Sequence, residues 1–134
     1  MRGVHIYNIL NGVFYFAFGL WGMILPKRIL AFFDVQAHGI YALHNIRAIW
    51  AGLAMLGVIM LWKSRSSSAV MMAMIIALVT GAVVIGRFLG LAFDGMDAGA
   101  QATYLEIAFE LSWVIIGLFF VKRALAQLKL SAGH

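Results

Sequence analysis

The sequence predicts an all-α integral membrane protein, a four-helix bundle whose helices run up-down-up-down through the bilayer. Of its 134 residues, 64% are hydrophobic and only 11% are charged, which is more apolar content than a soluble core of this size can bury. Four apolar stretches each reach the about 20 residues needed to cross a hydrocarbon core of roughly 30 Å. Short polar connectors separate them, so we predict one four-span domain over residues 1–134.

The first predicted span covers about residues 4–25 and is stopped by the Pro-Lys-Arg run at 26–28. Arg2 ahead of an apolar stretch is also compatible with a signal peptide, but a basic run directly after the stretch is not. We therefore expect a retained span. Residues 29–35 are then expected to lie along the membrane interface.

The remaining three spans are separated by two polar turns. We predict them at about residues 40–62, 69–93 and 101–121. A basic, serine-rich turn at 63–68 joins the first two of these, and a turn at 94–99, rich in Gly and Asp, joins the last two. The chain thus needs no long linker between spans.

The distribution of lysine and arginine predicts the orientation. Lys27 and Arg28 are the only basic residues in the connectors of one predicted side. The other side carries more of them: Arg2, Lys63, Arg65, Lys122, Arg123 and Lys129. By the positive-inside rule both termini are cytoplasmic, and we predict the bacterial cytoplasmic (inner) membrane as the location. The pI of about 10.0 reflects this topology, so no nucleic-acid partner is predicted.

Polar side chains inside the spans define the candidate site, because such groups are costly in hydrocarbon and need partners. One cluster of them falls in the predicted outer half of the bilayer, at a depth of roughly 6 to 15 Å. The charged and polar members are His44, Asn45, Arg47, Arg87, Glu106 and Glu110. Tyr41 and Tyr104, which are first of all interface anchors, complete the set.

Helical spacing brings these residues onto shared faces. Glu106 and Glu110 are four residues apart, and His44 and Arg47 are three apart. With Arg87, the two arginines and two glutamates balance in charge, so a structural ion-pair network that fixes helix register is one interpretation. A ligand or proton site is the other. In that case the arginines would bind a lipid phosphate, a carboxylate or a quinone oxygen.

No metal site, cofactor or catalytic residue is predicted. His44 could ligate haem or a metal, but neither His5 nor His38 shares its predicted depth. The chain has no cysteine, which excludes thiolate ligands and a cysteine nucleophile.

Glycines indicate where helices approach closely. Gly12, Gly19 and Gly22 mark the first span. Small residues four apart occur in the other spans, as in Ala48–Gly52 and Ala82–Gly86. We expect these small residues to let neighbouring helices pack closely beside Arg47 and Arg87.

Three short patterns carry a resemblance to a known family. They are Arg47-Ala48-x-x-Ala51-Gly52 in the second span, Gly86-Arg87-x-x-Gly90 before Asp94-Gly95 in the third, and Glu110 in the fourth. In these the chain resembles an uncharacterised family of small bacterial four-span membrane proteins, domain of unknown function 4345, and more distantly the DoxX-like proteins. The resemblance implies a four-helix membrane fold and no defined activity.

Three functional hypotheses follow. The first is a non-enzymatic accessory or binding protein, whose polar cluster holds a lipid-like or quinone-like anionic ligand and whose partners are membrane lipids, a larger membrane complex or further copies of itself. The second is a small proton-coupled transporter or exporter using Glu106 or Glu110. The third, ranked last, is a membrane enzyme on a hydrophobic substrate, with His44 and a glutamate as acid and base.

Overall fold

The computed structural model describes residues 1–33, 35, 39–94 and 100–132. Over these residues the chain forms five α-helices and no strand, so the all-α prediction is confirmed. The helices are α1 (Arg2–Ile24), α2 (Pro26–Phe32), α3 (Ile40–Lys63), α4 (Ala69–Asp94) and α5 (Ala100–Ala132). The predicted acidic turn at 94–99 lies almost entirely outside the described residues, as does His38.

Several of these helices can cross a membrane. Within the described residues, the segments Ala42–Lys63, Ala69–Phe93 and Tyr104–Ala132 are each long and apolar enough, and α1 with α2 makes a fourth if that bent pair is one span. The prediction of a membrane protein is supported at this level. The number of four spans, the alternating direction of the helices and the cytoplasmic termini stay predictions.

The break between α1 and α2 has a local cause. The N–H of Leu25 still donates to the Trp21 carbonyl, at 2.8 Å, but Pro26 has no N–H with which to extend the ladder. Proline instead fits the first position of a new helix, and α2 starts there. The axis turns by 119° between the two helices, so α2 does not continue the direction of α1.

The chain divides into two compact units. The first, which we call the α4–α5 unit, comprises Met1–Tyr7 and Ser67–His134. In it α4 packs along α5, and the start of α1 packs on the later part of α5. The ring of Tyr7 lies 5.3 Å from that of Trp113, between centroids, and the terminal ammonium donates to Oε1 of Gln127 at 2.9 Å.

The second, which we call the α1–α3 unit, is Asn8–Ser66. Here α1 and α3 approach backbone to backbone. A Cβ added to Gly57 would lie 2.8 Å from both the Gly12 carbonyl oxygen and the Phe16 Cα, and one added to Gly12 would lie 2.7 Å from the Leu61 Cγ.

The glycine expectation is therefore confirmed for the first span, since added Cβ atoms at Gly19 and Gly22 also collide with α3. At Gly52 and Gly86 an added Cβ would meet nothing within 4 Å among the described residues, and there the expectation stays a prediction.

Candidate functional site

Arg87 on α4 is held by two carboxylates of α5. Its Nε and Nη2 donate to the two oxygens of Glu110, at 2.8 and 2.9 Å. Its Nη1 lies 2.5 Å from Oε2 of Glu106. We call these three residues the α4–α5 triad.

The local sequence explains the triad. Glu106 and Glu110 are one helical turn apart and project from the same face of α5, against which α4 packs. The planar guanidinium of Arg87 presents parallel N–H groups that match a carboxylate, so Glu110 is bound through both oxygens. Arginine is suited to this role because a lysine ammonium cannot form the forked pair.

The two glutamates differ in their surroundings. The exposed fraction of the side chain is 40% for Glu106, 19% for Glu110 and 32% for Arg87. Glu110 is the more enclosed and makes two bonds to the guanidinium, whereas Glu106 makes one contact and reaches the protein surface. One guanidinium and two carboxylates sum to a formal charge of −1, so the triad can accept a proton or a positively charged group.

Arg87 itself is poorly placed to bind an anion. All three of its nitrogens already face carboxylate oxygens. An anionic ligand would have to displace a glutamate or approach two of them. The expectation of an anion bound by this arginine therefore gains no support from the geometry.

Arg47 on α3 has a different set of partners, in the α1–α3 unit. Its Nη1 donates to the backbone carbonyl of Met23 at 2.5 Å and to that of Ile24 at 3.3 Å. The last carbonyls of any α-helix lack intrahelical donors, and Pro26 removes a further one here. A cation at this point also faces the negative end of the dipole of α1. Arg47 thus caps the broken end of α1.

The predicted site residues thus fall into two sets. Arg87, Glu106 and Glu110 come together in the α4–α5 unit. His44, Asn45 and Arg47 lie on exposed positions of α3 in the α1–α3 unit. That the two sets form one charge-balanced site stays a prediction.

The two predicted tyrosines lie on different helices. Tyr104 is an exposed residue of α5, two positions before Glu106. The side chain of Tyr41, in α3, lies outside the described part of the chain.

Sequence reasoning missed the carbonyls of Met23 and Ile24, because it looked for partners only among side chains. The signal was present in Pro26, because a proline that ends a helix predicts last-turn carbonyls without intrahelical donors. Among the described residues, no group of three or more histidine, aspartate and glutamate side chains is placed to hold a metal ion.

Comparison with known proteins matches the chain to a protein family. The sequence profile of a domain of unknown function, DUF4345, matches residues 4–121, which is most of the chain. Neither the curated proteins nor the solved structures compared with the chain gave a match. The matched range contains most of α1, the whole of α2, α3 and α4, the triad and Arg47, and the chain therefore belongs to the DUF4345 family.

Proposed function

We propose that this protein is a non-enzymatic accessory or binding protein of the membrane. The observation that carries the proposal is the pre-assembled triad, in which both carboxylates of α5 engage one arginine of α4. Carboxylates held in this way are poor general bases, because a base must be free to reach a substrate proton. They are well suited to hold two helices in register and to bind a group that supplies the missing positive charge.

The net charge of the triad favours a binding role over a purely structural one. A network that only fixes helix register is best neutral, since an uncompensated charge in hydrocarbon is costly. The triad has one negative charge in excess, and Glu106, its less enclosed carboxylate, is the side chain that an incoming group would meet. A proton, an organic cation or a basic residue of a partner protein would complete it.

The surface of the predicted spans supports a partner. In an apolar 18-residue stretch of each of the three spanning segments, between 17% and 28% of the residues are buried inside the chain. Lipid covers most of the remaining apolar surface at no cost, but exposed polar side chains such as His44 and Asn45 gain from a second protein surface. A larger membrane complex or further copies of this chain would provide it.

Purification in a mild detergent, followed by native mass spectrometry, tests this function. We expect the protein to leave the micelle with bound lipid, with a partner protein or as an oligomer. The same measurement on the Glu106→Gln variant is the matched control for the triad, and we expect it to lose the partner that the triad holds, because it removes the excess negative charge and only one contact. A bare monomer of the unchanged protein, with neither lipid nor partner, would overturn the proposal.

Proton-coupled transport is the second candidate, and the excess negative charge of the triad is the observation that favours it. Glu106, with its single contact to Arg87, is the carboxylate that can exchange a proton without breaking the forked pair. In proteoliposomes with an imposed pH gradient, we expect Glu106→Gln to abolish coupled flux. Flux that is unaffected by both Glu106→Gln and Glu110→Gln would exclude this candidate.

A further inference from the structure

We propose that the junction of α1 and α2 is a binding site for the phosphate headgroup of an anionic phospholipid, with Arg47 as its central donor. This inference rests on the proposed binding function and names a ligand for it. It concerns the α1–α3 unit, and it does not use the triad.

The hydrogen bonds of Arg47 leave one edge of its guanidinium available. Both of its bonds, to the carbonyls of Met23 and Ile24, come from Nη1. The remaining N–H groups, on Nε and Nη2, have no protein acceptor among the described residues. These two nitrogens form the edge that binds phosphate through two parallel hydrogen bonds.

The capping bonds also hold that edge in place. Because Nη1 is fixed on the end of α1, the guanidinium loses little further freedom when it binds an anion. At this position in a spanning helix, N–H donors that lack an acceptor are costly in free energy. A lipid phosphate supplies that acceptor from within the membrane.

The charges near the junction favour an anion. Lys27 and Arg28 are exposed and follow Ile24 by three and four residues. The whole of Asn8–Ser66 contains five lysine or arginine residues and a single acidic one, Asp34, which lies outside the described residues. Basic residues at a membrane surface attract anionic lipids.

Aromatic rings beside the junction distinguish a lipid from free phosphate. Phe32 and Phe33, at the end of α2, are exposed. The ring of Phe33 stacks on that of Trp50, with centroids 6.4 Å apart and planes 10° apart, and Trp50 lies one turn after Arg47 on α3. The cations are therefore bordered by apolar surface that acyl chains can contact.

The test compares two double variants in mild detergent by native mass spectrometry, with phosphatidylglycerol and phosphatidylcholine as probes. Lys27→Gln/Arg28→Gln removes two charges at the junction and leaves the Arg47 cap intact. We expect it to bind phosphatidylglycerol about 30-fold more weakly than the unchanged protein, the factor for two lost basic contacts. Lys63→Gln/Arg65→Gln removes the same charge at the other end of α3, and we expect it to bind as the unchanged protein does.

Arg47→Lys provides a second readout, because it keeps the positive charge but loses the fork. We expect about tenfold weaker binding of phosphatidylglycerol with unchanged helix content by circular dichroism. Equal loss in both double variants, equal binding of the two lipids or displacement by inorganic phosphate would each overturn the inference. If the unchanged protein still retains a partner or another lipid, the proposed function stands without it.

Discussion

Arg87→Gln is expected to lower the free energy of unfolding by about 3 kcal/mol. The change leaves the carboxylates of Glu106 and Glu110 close together without their cation. Removing one partner of an enclosed ion pair is destabilising because the remaining charge is then uncompensated. Unfolding in mixed micelles of a mild detergent and dodecyl sulfate, followed by circular dichroism, measures the loss.

The two glutamates provide matched controls on one helix. Glu110→Gln removes the forked pair and is expected to cost about 1–2 kcal/mol. Glu106→Gln removes the excess negative charge and only one contact, so its effect on stability is expected to be close to zero. A larger loss from Glu106→Gln than from Glu110→Gln would mean that the guanidinium depends on the more exposed carboxylate, contrary to the geometry.

Gly57→Ala is expected to destabilise the α1–α3 unit by about 3 kcal/mol, because overpacking at a tight contact forces backbone to move. The new Cβ would lie 2.8 Å from the Gly12 carbonyl oxygen and from the Phe16 Cα, and neither atom can move without displacing α1. Dodecyl sulfate unfolding of this variant measures the effect.

Gly52→Ala is the control on the same helix. No described atom lies within 4 Å of its added Cβ, and alanine favours the helix over glycine by about 1 kcal/mol. We expect Gly52→Ala to be neutral or slightly stabilising. Equal losses for the two substitutions would show that α1 and α3 do not approach at Gly57.

Much of the fold could be predicted from the sequence, because the patterns concerned are local. Apolar stretches of spanning length predicted the long helices, and Pro26 predicted the end of α1. The contacts within the triad followed in the same way. The spacing of Glu106 and Glu110 predicted one face, and the cost of a charge in hydrocarbon predicted that Arg87 would meet it.

The remaining helix contacts and the partners of Arg47 depend on which helix surfaces pack together. The spacing of residues along the sequence does not determine that packing. Gly52 pairs with Ala48 at a spacing of four and Gly57 has no small residue at that spacing, yet of the two it is Gly57 that lies against α1. The acceptors of Arg47 are backbone carbonyls, which every residue carries, so nothing in their side chains identifies Met23 and Ile24. Charge counting considers only carboxylates as partners of Arg47, so it omits such acceptors, and a meeting of Arg47 with the glutamates stays a prediction.

A double-mutant cycle between Arg87 and Glu110 tests most directly whether the triad is one pre-assembled unit. The unfolding free energies of Arg87→Gln, Glu110→Gln and the double variant are compared with that of the unchanged protein. We predict a coupling energy of about 2 kcal/mol, with the double variant more stable than the sum of the two losses implies. Losses that simply add would contradict the account, since they would mean that the guanidinium and the carboxylate do not interact in the membrane.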